Sequence, residues 1–234
     1  MLRVRPVQLT SDVDGWKQLL EVLGLVCVQD DGDRLEFDAA SGRLALHRVP
    51  AGSPTDGTTV FGVEVGDLAE FVRRTLADGT AAELVDTDHG QAVRITAGDG
   101  FTFLADKAAN RETSVEAAAG LAVVGTWLTP DVPRAARDMR NIGARAVDMS
   151  PKAAGVTAAG VTAADFRAKN GGILAVRQAP NTATGSLTFE YDGDIAALQV
   201  RLAKAGIKAA LAAPVLTVPS PGGSIRVASS TNPE

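Results

Sequence analysis

DVDGWKQLLEVLG, running from Asp12 to Gly24, returns three more times in altered form. Asp67 to Gly79 reads DLAEFVRRTLADG, Asp131 to Gly143 reads DVPRAARDMRNIG, and Asp194 to Gly206 reads DIAALQVRLAKAG. Each copy opens on Asp followed by an apolar residue and closes on Gly twelve positions after the Asp. An Asp side chain can accept a hydrogen bond from an orphaned N–H of a first helical turn, and its charge suits the positive end of the helix dipole. Glycine can take the left-handed conformation that ends a helix. Between the caps, apolar residues recur at helical spacing: Val13, Trp16, Leu19, Leu20 and Leu23 in the first copy, Leu68, Phe71, Val72 and Leu76 in the second. The third copy keeps Val132, Ala135, Ala136, Met139 and Ile142, and the fourth Ile195, Leu198 and Leu202. The spacing predicts four capped helices, each with one face to bury.

Successive Asp residues lie 55, 64 and 63 positions apart, so the repeating block holds more than a helix. RVRPVQLT (3–10) reads as a strand, and after Gly24 come three more strand-like runs, LVCVQ (25–29), RLEFD (34–38) and RLALHRV (43–49), with turn signals between them. The order strand, helix, three strands recurs with TVFGVEV (59–65), AAELVDT (81–87), QAVRITA (91–97) and FTFLA (101–105). A third copy opens with LAVVGTWLT (121–129) and ends with TAADFRAK (162–169) and GILAVRQA (172–179). A fourth runs from GSLTFEY (185–191) to GSIRVAS (223–229). The expected class is α+β: four βαβββ modules, at about 1–54, 57–106, 121–180 and 184–230, paired into domains 1–106 and 121–234. The alanine-rich stretch 107–120 reads as a linker, 150–165 as a surface loop of small residues, and SSTNPE as a frayed tail.

Composition excludes several classes. A net charge of −5 argues against a nucleic-acid partner, which calls for a basic face. No apolar run approaches a membrane span, and MLRVRPVQLT lacks the apolar core of a secretory signal, so a cytoplasmic protein without a membrane partner is expected. The single cysteine, Cys27, rules out an internal disulfide and a multi-thiolate metal site, and its setting LVCVQ predicts a buried strand residue. There is no GxGxxG or P-loop after a strand, no GxSxG elbow and no HExxH.

Local sequence adds a resemblance to the architecture. SDVDGWKQLLEVLGL and SGRLALHRVPAG resemble the first helix and fourth strand of the vicinal oxygen chelate superfamily, the fold of glyoxalases, bleomycin-resistance proteins and extradiol dioxygenases. VEVGDLAEFVRRTLADGTAAELVDTDHGQAVRITAGDGFTFLAD is similar to its second module, and TPDVPRAARDMRNIG resembles the start of another such domain. The resemblance implies open, curved mixed sheets with helices on the convex side and a ligand in the concave groove. Its enzymes hold a divalent cation with His, Gln or Glu from the first and last strands of the modules. Here those positions fall near Val4 or Arg5, Val60, Val123 or Val124, and Thr102 or Leu104, with His47 standing beside Leu46. The chain has only two histidines.

Strand alternation gives an independent reading of the groove, because the apolar set should face the helices. It selects Gln8, Glu36, His47, Glu64 and Thr102 in the first domain, with Arg34 and Arg94 beside them. In the second domain it selects Arg177, Glu190 and Arg226, with Arg167 and Thr188, while Trp127 is open between core and stacking platform. His89, on the DTDHG lip, borders the groove in the resembled family, and His47 is the candidate general base. The expectation is a protein that binds a small organic molecule, as monomer or homodimer, without the family's metal. The alternative is a metal-dependent lyase, isomerase or dioxygenase with a nonstandard site around Gln8, His47 and Glu64. A third reading makes one domain a degenerate support for the other.

Overall fold

A computed structural model describes residues 1–109, 117, 120–147, 156–157 and 160–230. The four helices form where the caps place them: α1 (Val13–Leu23), α2 (Leu68–Ala77), α3 (Val132–Asn141) and α4 (Ile195–Lys204). Asp12, Asp67, Asp131 and Asp194 each accept a backbone N–H of their own first turn. Gly24, Gly79, Gly143 and Gly206 all have positive φ, between 81° and 95°, where any other residue would strain the backbone.

Counted from the capping Asp, positions 1, 4 and 8 line the buried side in every copy, and position 9 faces out. That explains α2, whose apolar stripe is less buried than its sequence predicts. Leu76 sits at the ninth position and is 52% exposed, whereas Thr75, at the eighth, is fully buried. Phe71 and Val72 are half-buried.

Each module carries antiparallel hairpin strands, and in the first, second and fourth the last strand runs parallel to the first. Val7–Thr10 lies parallel to Arg43–Arg48, Gly62–Val65 to Thr102–Lys107, and Thr188–Tyr191 to Gly223–Ser229. Four helices and open mixed sheets among the described residues make the fold α+β. Two compact units result. The first comprises Met1–Arg5, Phe61–Arg111 and Gly125–Gly185, and so joins the second module to the third. The second comprises Pro6–Val60, Glu112–Val124 and Ser186–Glu234, joining the fourth module to the first. Sequence order alone suggests a different grouping, of consecutive modules in 1–106 and 121–234.

In the first unit the strand order is Leu2–Val4, Gly62–Val65, Thr102–Lys107, Gly90–Thr96 and Ala81–Thr87. Val4, Val63, Val93, Ile95 and Ala105 from that sheet are 0% exposed. Phe61, Phe101, Phe103 and Trp127 form an aromatic cluster, with Phe101 stacked on Trp127 at 4.9 Å and 18°. Gly125 lets this cluster close, since a Cβ there would lie 3.3 Å from both Phe61 and Val4. In the second unit the order Val26–Asp30, Arg34–Asp38, Arg43–Arg48, Val7–Thr10, Thr59–Val60 repeats the pattern. Its core gathers Trp16, Leu20, Leu23, Leu35, Phe37, Leu44 and Leu46 with Leu198, Leu202, Leu216, Val218 and Val227.

The stretch 150–165, expected as a loop, contains strand where it is described. Val156–Thr157 pairs with Gly160–Val161, and Ala163–Arg167 pairs with Ile173–Gln178. The β-branched Val and Thr of the tandem VTAA echo favour extended backbone. Most of the expected linker 107–120 and residues 231–234 of the expected tail lie outside the described residues, whereas Ser229, expected to fray, pairs with Tyr191 at the end of the last strand. Among the described residues no helix is long and apolar enough to cross a membrane.

Candidate functional site

The residues selected from the sequence separate into two sets. Gln8, Glu36, His47, Glu190 and Arg226 belong to the second unit, and Glu64, His89, Thr102, Trp127 and Arg177 to the first.

Register decides which face each presents. Gln8 pairs with Leu46, and Leu46 with Leu35, so Gln8 lies on the apolar face. The strand VQLT inverts the alternation expected of it: Gln8 and Thr10 are each 2% exposed, while Val7 and Leu9 are half-buried. Gln8 is held there by hydrogen bonds, its Oε1 accepting from Thr59 Oγ1 at 2.8 Å and its Nε2 donating to the Leu9 carbonyl at 3.1 Å. Thr59 Oγ1 in turn accepts the Leu187 N–H at 3.1 Å. A small cavity of about 60 Å³ adjoins Gln8, Thr59 and Trp16, too small for an organic ligand.

The opposite face carries Arg34, Glu36, Asp38, Arg43 and His47, and guanidinium groups organise it. Arg43, 1% exposed, donates from Nε to Asp38 Oδ1 at 2.7 Å and from Nη1 to Glu36 Oε2 at 3.0 Å. Arg34 Nε donates to His47 Nε2 at 2.8 Å, so the lone pair His47 would use as a base is already engaged.

In the first unit Glu64 is buried and clamped by Arg3, which stands directly opposite it in the register. Arg3 Nε and Nη2 reach the two carboxylate oxygens at 3.2 and 2.9 Å. Arg5 Nη1 donates to Asp106 Oδ2 at 2.8 Å, and the other oxygen of Asp106 lies 3.2 Å from His89 Nε2. His89 Nδ1 lies 2.7 Å from Asp88 Oδ1. This chain of charges borders a cleft of about 520 Å³ whose walls include Asp67, His89, Gln91 and Lys107.

Of the other selected residues, Arg177 grips Asp165 through two hydrogen bonds, 2.6 and 3.1 Å, and Arg94 pairs with Glu83 at 3.1 Å. Thr102 and Arg226 are exposed, and Glu190 is half-buried. Trp127 is 0% exposed and belongs to the core, with no partner for its indole N–H among the described residues. Cys27 is half-buried rather than buried; burial pushes its thiol pKa up, which keeps the weakly nucleophilic protonated form.

The family that the sequence resembles implies a divalent cation, and the residues present do not fit one. Among the described residues no three His, Cys, Asp or Glu side chains converge as a metal would require. The inward-facing strand carboxylates each pair with an arginine, Asp38 and Glu36 sharing Arg43, Glu64 taking Arg3 and Asp106 taking Arg5. A second cation beside a buried guanidinium would meet like-charge repulsion at low dielectric.

No family model matches the chain, and no curated protein does. Solved structures do. Homoprotocatechuate 2,3-dioxygenase from Arthrobacter globiformis is 17% identical with a TM-score of 0.65, over 97% of this chain and 78% of that one. The 2,3-dioxygenase LapB from Pseudomonas sp. KL28 is 13% identical with a TM-score of 0.64, over 99% and 92%. An extradiol ring-cleaving dioxygenase from B. fuscum is 17% identical with a TM-score of 0.68, over 99% and 72%. The chain therefore shares its fold with these dioxygenases.

Proposed function

We propose that this chain uses the extradiol-dioxygenase fold to bind a small organic molecule without the divalent cation of the fold family. One observation carries the reading: the inward carboxylates on the strands serve arginines, and His47 serves Arg34, so the donors a metal would need are committed elsewhere. Functions are grafted onto folds, and a scaffold keeps its shape when the donor set is exchanged.

A second reading is a metal-dependent ring-cleaving dioxygenase. The comparisons favour it over a sequestering binder, because the solved structures reported above are extradiol dioxygenases and the likeness runs over nearly the whole chain. On this reading Arg34 and Arg3 would have to release His47 and Glu64 on metal loading.

One experiment separates the two. The purified protein is loaded anaerobically with Fe(II) or Mn(II), its metal content is measured, and oxygen uptake is followed with catechol and homoprotocatechuate. The binding reading expects no stoichiometric metal and no uptake above the protein-free rate. Retained metal with turnover lost in His47→Ala would replace it by the dioxygenase.

A further inference from the structure

We propose that the groove along α1 in the second unit binds a small organic cation, an apolar body bearing an amine or amidinium group. The inference rests on the ligand-binding reading above and gives it a site and a ligand class. The observation behind it is that the two units share one structural seat and fill it differently.

In each unit the seat lies between the first helix of one module, the residues just past the other module's helix, and that module's last hairpin. In the first unit these are α3, Thr80 and the turn at Gly98. The seat there is full. Thr80 Oγ1 donates to Asp138 Oδ1 at 2.7 Å, Asn141 Nδ2 donates to Thr80 Oγ1 at 2.9 Å, and the Gly98 N–H reaches Asp138 Oδ2 at 3.3 Å. The Arg134 guanidinium occupies the space that a Cβ on Gly98 would need.

Counting from the capping Asp carries each position into the second unit. Arg134 becomes Gly15, Asp138 becomes Leu19, Asn141 becomes Val22, and Thr80 becomes Ile207. Every polar or bulky member is replaced by an apolar or small one, and a groove of about 640 Å³ stands open there. That volume lies in the range of small-molecule sites, about 300–1,000 Å³. Leu19, 4% exposed, forms the floor, with Val22, Ile207 and the prolines of the 219–221 turn as walls.

Charge selects the ligand. Among the described residues that line the groove, Glu21 is the one ionisable group, with Gln18 and Ser220 as the other polar side chains. The sister seat shows the kind of group that fits against the hairpin, since a guanidinium lies there. An aromatic or aliphatic body on Leu19 and Val22 with its cationic end at Glu21 satisfies both the apolar floor and the acidic rim.

The test is a titration of the full chain with benzamidine, with benzamide as the uncharged analogue and benzoate as the anionic one, followed by backbone amide NMR. Saturable shifts are expected at Gly15, Gln18, Val22, Ile207 and Ser220 with benzamidine. Benzamide should bind about two- to fivefold more weakly, the worth of one exposed charge pair, and Glu21→Gln should erase that difference. Gly15→Arg, which transplants the Arg134 side chain, should abolish the shifts. Because a Cβ at Gly15 crowds the Asp12 carboxylate, the pair Val22→Asn with Ile207→Thr provides a second blocking variant. Equal affinity for all three probes, or shifts that survive both blocking variants, would overturn the proposal. Shifts confined to the His89 cleft would also overturn it while leaving the small-molecule reading in place.

Discussion

Helices α3 and α1 occupy the same place in their respective units and start from the same local device. Thr129 Oγ1 accepts the Asp131 N–H at 3.1 Å, and Thr10 Oγ1 accepts the Asp12 N–H at 3.0 Å. Beyond the cap they diverge. Around α3 carboxylates organise the contact: Asp99 Oδ2 accepts from Thr129 at 2.7 Å and from Thr182 at 3.0 Å, while Asp138 ties Thr80 to the Gly98 turn. Around α1 the contact is made by Leu19, Leu20 and Leu23, and Arg201 Nη2 donates to the Leu23 carbonyl at 3.0 Å. Backbone architecture is thus set by the caps and by positions 1, 4 and 8, whereas positions 3, 7 and 10 are at liberty to seal a seat or leave it open.

Exchanging those positions tests the contrast. The largest effect is expected for Leu19→Asp, which puts a carboxylate on an apolar floor without the partners Asp138 has; it should cost about 3–5 kcal/mol in urea denaturation. Unchanged stability would show the α1 contact to be wetter than its burial indicates. The reverse change, Asp138→Leu, strands the Thr80 hydroxyl and the Gly98 N–H and should cost about 1–3 kcal/mol. Adding Thr80→Ile, the residue type found at 207, should recover much of that loss. A double-mutant cycle with no coupling would mean the Thr80–Asp138 bond is not what holds the contact.

Leu76→Gln should shift stability by no more than about 0.5 kcal/mol, despite the hydrophobic stripe on which Leu76 lies. The smallest effect concerns the third position of α2, Glu70, the counterpart of Gly15. Its carboxylate accepts from Arg73 and then Arg74, at 2.7 and 2.6 Å, which lowers its pKa from 4.5 to about 2. Because the folded value lies below the unfolded one, the favourable contribution is complete above pH 4.5 and disappears as pH falls through about 2. A carboxyl-carbon NMR titration of Glu70 with a midpoint near 4.5 would show that both arginines are disengaged in solution.

Much of the fold could be read from the chain before any coordinates, and the reason is local chemistry. An Asp cap and a left-handed Gly act within one or two turns, so four helices and their limits follow from thirteen-residue stretches. Gln8 shows where that ends. Its alternation partners Val7 and Leu9 are the apolar ones, yet register with Leu46 turns Gln8 inward, where Thr59, 51 residues away, completes its hydrogen bonds. The candidate site was harder to read still. His47 and Glu64 were identifiable as polar strand residues, but Arg34 and Arg3 decide what they can do, and those partners are set by cross-strand register. The groove on α1 left a signal, the run of Gly15, Leu19 and Val22 against Arg134, Asp138 and Asn141, visible only when the modules are aligned on their caps.

Sequence by itself determined the four modules, their helices and the succession of elements along each, because capping, turn chemistry and periodicity act between near neighbours in the chain. Tertiary structure decided which modules share a core, which polar strand residues are spent on arginines, and which of two equivalent seats stays open. Those outcomes depend on side chains far apart in the chain meeting at a few ångströms, where burial and charge pairing fix the energy.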